Sequence, residues 1–219
     1  MEVGIRIVKF FVEGKSDKVF LRALLKLLYK IELNEEQWNE VIIVCGGHDG
    51  IPKQKHEFLE VNPGGKREGG NNIVLFDADY TATEKNHGFA NKSMFLETIK
   101  NDFGLTFEYY LFPNNKDDGT LETLLKTCIN PENEDIMSCW GNFEQCLEHS
   151  GKGFTLPAEK SRIYVYLECL HGTTKADKNK IKDLNRDFTD QRLWSFDFAN
   201  NNDLIRLKTF LDKHLIEKD

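Results

Sequence analysis

The chain has 219 residues, 40% of them hydrophobic and 30% charged, with 16 Phe and a formal net charge of −7. That is the profile of a soluble globular protein with a sizeable core, and the acidic balance argues against a general polyanion binder. No apolar run reaches membrane-spanning length. The five scattered cysteines form no CxxC pair, so they read as reduced thiols of a cytoplasmic protein and not as a disulfide frame or zinc site.

Met1-Glu2-Val3-Gly4 leads straight into an apolar stretch and shows no signal-peptide pattern. Residues 5–12 read as a first strand, ending at Glu13-Gly14-Lys15-Ser16-Asp17. A helix over about 17–31 follows, with Val19, Phe20, Ala23, Leu24, Leu27 and Leu28 at helical spacing and Ser16 as its N-cap. Val41–Cys45 is a second strand, running into Gly46-Gly47-His48-Asp49-Gly50 and a short helix over about 51–60. The third strand spans 72–77, where Ile73-Val74-Leu75-Phe76 predicts burial on both faces. A polar loop at 80–90 leads to a helix over about 91–102. Thr106–Phe112 is the fourth strand, and a helix over about 120–129 follows Pro113-Asn114-Asn115-Lys116-Asp117-Asp118-Gly119. Four strand–helix units predict a Rossmann-like α/β domain over residues 1–130, with a mainly parallel four-stranded sheet flanked by helices.

Residues 131–219 read as a mostly helical extension packed on that domain. Ile136, Trp140, Phe143 and Leu147 follow helical spacing. Residues 158–170 read as helix, with strand left open by their β-branched and Tyr residues. The segment 171–190 is polar and charged. Trp194, Phe196 and Phe198 alternate as in a short extended piece, and Leu204, Leu207, Leu211 and Leu215 mark a last amphipathic helix.

In an open α/β sheet, ligands bind beyond the carboxyl ends of the strands. Glu13–Asp17, Gly46–Gly50, Asp77–Asp79 and Asn114–Asp118 therefore share one edge. The glycine-rich loop 62–70 precedes a strand, falls on the opposite edge, lacks GKS/T, and reads as a flexible surface loop. Asp77 and Asp79 lie two apart at a strand end, and in an extended chain such residues point to the same side. Two close carboxylates repel unless a cation lies between them. Mg²⁺ takes one or two carboxylates and keeps its other waters; the plainer alternative is a polar turn. Asp17 and Glu122 fall in first turns of helices, where acids also serve the helix dipole. Gly14 and Lys15 read as phosphate contacts or ordinary loop residues. Gly46 and Gly47 read as N–H donors to an anion or as tight-turn glycines. His48 lies near the edge as a contact for substrate or metal, and Asn114 is a turn former with a ligand role open beside it.

Phe11-Val12-Glu13-Gly14-Lys15-Ser16-Asp17 and Leu75-Phe76-Asp77-Ala78-Asp79, at strand ends and in this order, resemble the TOPRIM domain. That domain is the metal-binding module of topoisomerases, bacterial primases, small maturation nucleases and OLD-family nucleases. The stretch from Phe112 to Glu122, with Trp194-Ser195-Phe196, is also similar to a group of TOPRIM-related bacterial proteins. The resemblance covers about residues 5–130 by element order. It implies Glu13 as general acid/base or ligand of a second metal, and Asp77 and Asp79 as holders of the principal Mg²⁺ or Mn²⁺. It implies Asp17 as the second acid of the OLD-type motif and Glu122 as an additional acid at the mouth. Thr81 stands where topoisomerases carry the Glu of Asp-x-Asp-x-Glu, which argues against that subtype. The implied function is a divalent-metal-dependent nuclease or related phosphotransfer enzyme acting on nucleic acid. The alternative is a non-catalytic Mg²⁺-binding module, serving as a subunit or nucleotide- or nucleic-acid-binding partner in a larger assembly. An α/β phosphohydrolase or response-regulator-like domain fits less well, because Glu-Gly follows the first strand. These residues contain no ATPase domain like that of OLD-family nucleases, so ATP-driven regulation would need a separate protein partner.

Overall fold

Apolar runs that must be covered on both sides place the strands in a central layer. The computed structural model describes residues 8–81 and 87–216; residues 5–7 of the expected first strand and 82–86 of the polar loop lie outside that range. Strands β1 (Val8–Val12), β2 (Ile42–Val44), β3 (Asn71–Asp77) and β4 (Glu108–Phe112) form one sheet in the order β2-β1-β3-β4. Every neighbouring pair is parallel, with Val12 beside both Val44 and Leu75, and Asp77 beside Phe112. The α/β class with a parallel four-stranded sheet is the expected one. Strand order reverses between β1 and β3, which opens a crevice at their carboxyl ends.

Alternation along the strands divides the core. Ile73 and Leu75 of β3 join Phe10, Val12, Tyr110 and Phe112 on one face. Val74 and Phe76 join Phe11 and Leu111 on the other. Helix α1 (Lys15–Tyr29) covers the first face through Phe20, Leu21, Leu24 and Leu25. Its N-cap is Gly14, two residues before the expected Ser16, because Asp17 reaches back to accept from the Gly14 N–H at 2.6 Å. Helix α2 (Glu35–Val41) was not expected; the second strand begins at Ile42, after it. Asn34 and Gln37 exchange reciprocal capping bonds of 2.9 Å, and Trp38 is buried beneath. In the 51–60 stretch, 3₁₀ turns flank the four-residue α3 (Lys55–Phe58). Helix α4 (Phe89–Phe103) covers the second face with Leu96 and Ile99, beside Phe58, whose ring stacks on Phe11 at 3.7 Å.

After α5 (Leu121–Lys126), the chain continues as α6 (Glu134–His149), α7 (Glu159–His171), α8 (Lys175–Lys180) and α9 (Asn202–Leu215). Residues 158–170 thus resolve as helix. Leu204, Leu207, Leu211 and Leu215 of α9, with Ile163, Tyr166 and Leu167 of α7, belong to the same core as α1 and β1. The aromatic alternation at 194–198 stays outside the sheet: Trp194 makes an isolated bridge to Ile129, and the rings of Trp194, Phe196 and Phe198 stack in series. The loop 62–70 lies on the opposite edge, as expected, but is tied down. Arg67 bonds Glu60 at 2.9 Å and Asn72 at 2.8 Å, and Lys9 pairs with Glu60 at 2.7 Å. Among the described residues, no helix is long and apolar enough to cross a membrane.

Candidate functional site

The ends of β1 and β3, and the start of α5 beyond β4, bring five carboxylates to one crevice. Glu13 follows β1 directly, and its Oε2 accepts from the Asp77 N–H at 3.3 Å. Burial raises the Glu13 carboxyl; the Lys92 ammonium opposes this, and Asp79 adds to it. Asp17 sits in the first turn of α1 and is buried, with its carboxyl pushed up to about 7, first by burial and then by the charges of Glu13 and Glu122. Asp77 ends β3, with Oδ1 accepting from the Leu121 N–H at 2.7 Å at the head of α5. Its carboxyl lies well above the usual range, through burial and the charges of Asp17, Glu13 and Glu122. These four acids are one electrostatic unit.

Asp79 behaves differently. The extended chain stops at Asp77, and Asp79 adopts a left-handed backbone (φ +60°), so the rule that residues two apart share a side does not reach it. Its N–H and C=O pair with Gly119 at 2.8 and 2.9 Å. Its Oδ2 accepts from Lys92 Nζ at 2.7 Å, and His87 Nε2 lies 3.6 Å from the same oxygen.

The other expected residues surround this centre or turn from it. Lys15 is exposed at the head of α1. The amides of Gly46 and Gly47 donate to the Glu13 carbonyl at 2.9 and 3.2 Å, and both backbones have positive φ. They act as turn glycines that fix the end of β1. His48 lies edge-on to Phe95 with ring centroids 5.0 Å apart, and its charge lowers the Glu13 carboxyl. Asn114 is buried, and its amide bonds Asp117 and Asp203, each at 3.0 Å, so it ties the β4 loop to α9. Thr81 donates its hydroxyl to Asp118 at 2.5 Å, and Asp118 also accepts from the first amide of α4, Phe89, at 2.7 Å.

Two residues at the site carried no sequence signal. Lys92 looks like one more helix lysine, yet its side chain is 1% exposed. Glu159, at the head of α7, accepts from Tyr80 at 2.8 Å and Thr123 at 2.7 Å and pairs with Lys126. It thereby locks the C-terminal part of the chain to the residues beside Asp79 and to α5.

Among the described residues, no three His, Cys, Asp or Glu side chains already form a cation cage. The donor chemistry suits a hard divalent ion: the oxygens are carboxylates, and Mg²⁺ requires only one or two of them with water. No curated protein and no solved structure matches the chain. One family model matches residues 8–213, a span that takes in both the acidic crevice and the helices behind it. The chain therefore belongs to the family described as protein of unknown function (DUF3226).

Proposed function

We propose that the acidic crevice is a TOPRIM-type divalent-metal site and that the protein is a metal-dependent nuclease or related phosphotransfer enzyme acting on nucleic acid. The observation that carries this reading is the convergence of Glu13, Asp17, Asp77 and Glu122, where burial first and mutual repulsion second raise Asp17 and Asp77. A fold gathers such charges at a cost unless a cation offsets them. Their position, beyond adjacent parallel strands where the strand order reverses, is where open α/β sheets bind ligands.

Glu13, Asp17, Asp77 and Glu122 would hold Mg²⁺ or Mn²⁺, with Asp79 at the rim. The ion would supply a nucleophilic hydroxide and neutralise charge on the phosphate. Glu13, with its raised carboxyl, accepts or returns a proton at Oε1 or Oε2. Lys15, exposed at the mouth, contacts the phosphate backbone on either side of the scissile group.

The test is cleavage of labelled single- and double-stranded DNA and RNA with Mg²⁺ or Mn²⁺. Wild type should cut at least one substrate only when metal is present, and Glu13→Gln and Asp77→Asn should not. The net charge of −7 favours a second reading, a non-catalytic metal-binding module that borrows its basic surface from a partner. Metal binding without cleavage of any substrate supports that reading.

A further inference from the structure

Lys92 stands where an ammonium is hardest to keep. It lies in the first turn of α4, where the helix dipole disfavours a cation. Its side chain is also 1% exposed, and a buried charge is costly unless paired and hydrogen-bonded. What holds it there is Asp79, with Nζ 2.7 Å from Oδ2. After burial, Lys92 is also the strongest influence on Glu13. The ammonium thus serves the Glu13–Asp79 side of the crevice; on the other side, among the described residues, Asp17 and Asp77 accept only from backbone amides, and Lys160 reaches Glu122 through its charge alone.

Resting on the metal-site reading above, we propose that Lys92 is a built-in cation in place of a second metal ion, so that the crevice takes a single divalent ion on the Asp77 side. Asp79 is then the counter-ion of Lys92 and not a ligand of that ion. Lys92 acts as a positioning residue: it fixes Asp79 and the charge beside Glu13. Mg²⁺ would sit with Asp77 and its neighbours, where, among the described residues, no side-chain ammonium is hydrogen-bonded to the carboxylates.

The test counts bound Mn²⁺ by electron paramagnetic resonance of the free ion during titration of the full chain at pH 8. Wild type should bind one Mn²⁺ per chain. Asp79→Asn should also bind one, with a Kd within about threefold of wild type, a difference of less than about 1 kcal/mol. Lys92→Met, which uncovers Asp79, should gain a second Mn²⁺, and Lys92→Arg should restore a stoichiometry of one. A purely structural lysine would not create a metal site on removal. Two ions in wild type, or a loss of affinity of about tenfold or more in Asp79→Asn, overturns the inference and leaves the metal-site reading standing. A folded Lys92→Met that still binds one ion also overturns it. If Lys92→Met does not fold, wild type and Asp79→Asn decide the matter alone. No Mn²⁺ binding by wild type overturns the metal-site reading, and this inference with it.

Discussion

Replacing a charged site residue normally weakens a protein, but Asp77→Asn should strengthen this one when no divalent ion is present. The Asp17 carboxyl is pushed from an ordinary 3.8 up to about 7. At about 1.4 kcal/mol per tenfold in proton affinity, holding it ionised at neutral pH and above costs the fold about 4 kcal/mol. Asp77 is raised in the same direction by burial and by Asp17, Glu13 and Glu122. An amide at position 77 removes one of these charges and keeps an oxygen for the Leu121 N–H. The expected gain at pH 8 is about 2–4 kcal/mol. At about 2–4 °C per kcal/mol for a chain of this size, Tm rises by about 4–16 °C. Both carboxyls lie higher in the fold than in the unfolded chain. Their contribution to stability is therefore fully present below about pH 4 and is lost as pH rises, for Asp17 through about 7. The advantage of the variant should accordingly fade toward pH 4. Urea unfolding at pH 4.5 and pH 8 in a chelator measures both arms. A variant less stable than wild type at pH 8, or a gain that does not change with pH, would refute the reasoning.

The same linkage gives Mg²⁺ and Mn²⁺ a pH-dependent effect. Their stabilisation of wild type, read as a Tm shift, should grow from pH 5 to pH 8 as the carboxyls ionise. Glu159→Ala should cost about 1–3 kcal/mol by stripping bonds from Tyr80, Thr123 and Lys126. Hydrogen exchange should then speed up at the α5 amides while β1 stays protected. Leu207→Ala, in the buried stripe of α9, should cost about 2–5 kcal/mol in urea unfolding, since residues 131–219 share the core of the sheet. A loss under about 1 kcal/mol would detach them from that core. Gly50→Ala should cost about 3 kcal/mol or more by chemical denaturation, because a Cβ there would lie 1.8 Å from the Cys45 carbonyl oxygen.

The sheet could be read from the chain because its signal is local. Ile73-Val74-Leu75-Phe76 and Phe10-Phe11-Val12 are apolar runs buried on both faces, and such runs announce parallel strands. The edge that carries Glu13, Asp17 and Asp77 then follows from the rule that ligands sit beyond the carboxyl ends; Glu122 comes from the family resemblance alone. Helix α2 is masked in the sequence, although Asn34 and Gln37 spell a capping box, because its last residue, Val41, reads as the start of the strand. The pairing of Asp79 could not be inferred. It depends on a left-handed residue, on a bridge to Gly119, forty positions away, and on a lysine brought back by α4. Gly46 and Gly47 could not be assigned before the structure placed both amides on the Glu13 carbonyl.

The most direct test of the metal site is calorimetric titration of Mn²⁺ into wild type and Asp77→Asn at pH 8. The account predicts saturable binding by wild type and a loss of at least about tenfold in affinity, or more than about 1.4 kcal/mol, in the variant. Wild type that binds no Mn²⁺, or a variant that binds it as tightly as wild type, would contradict it.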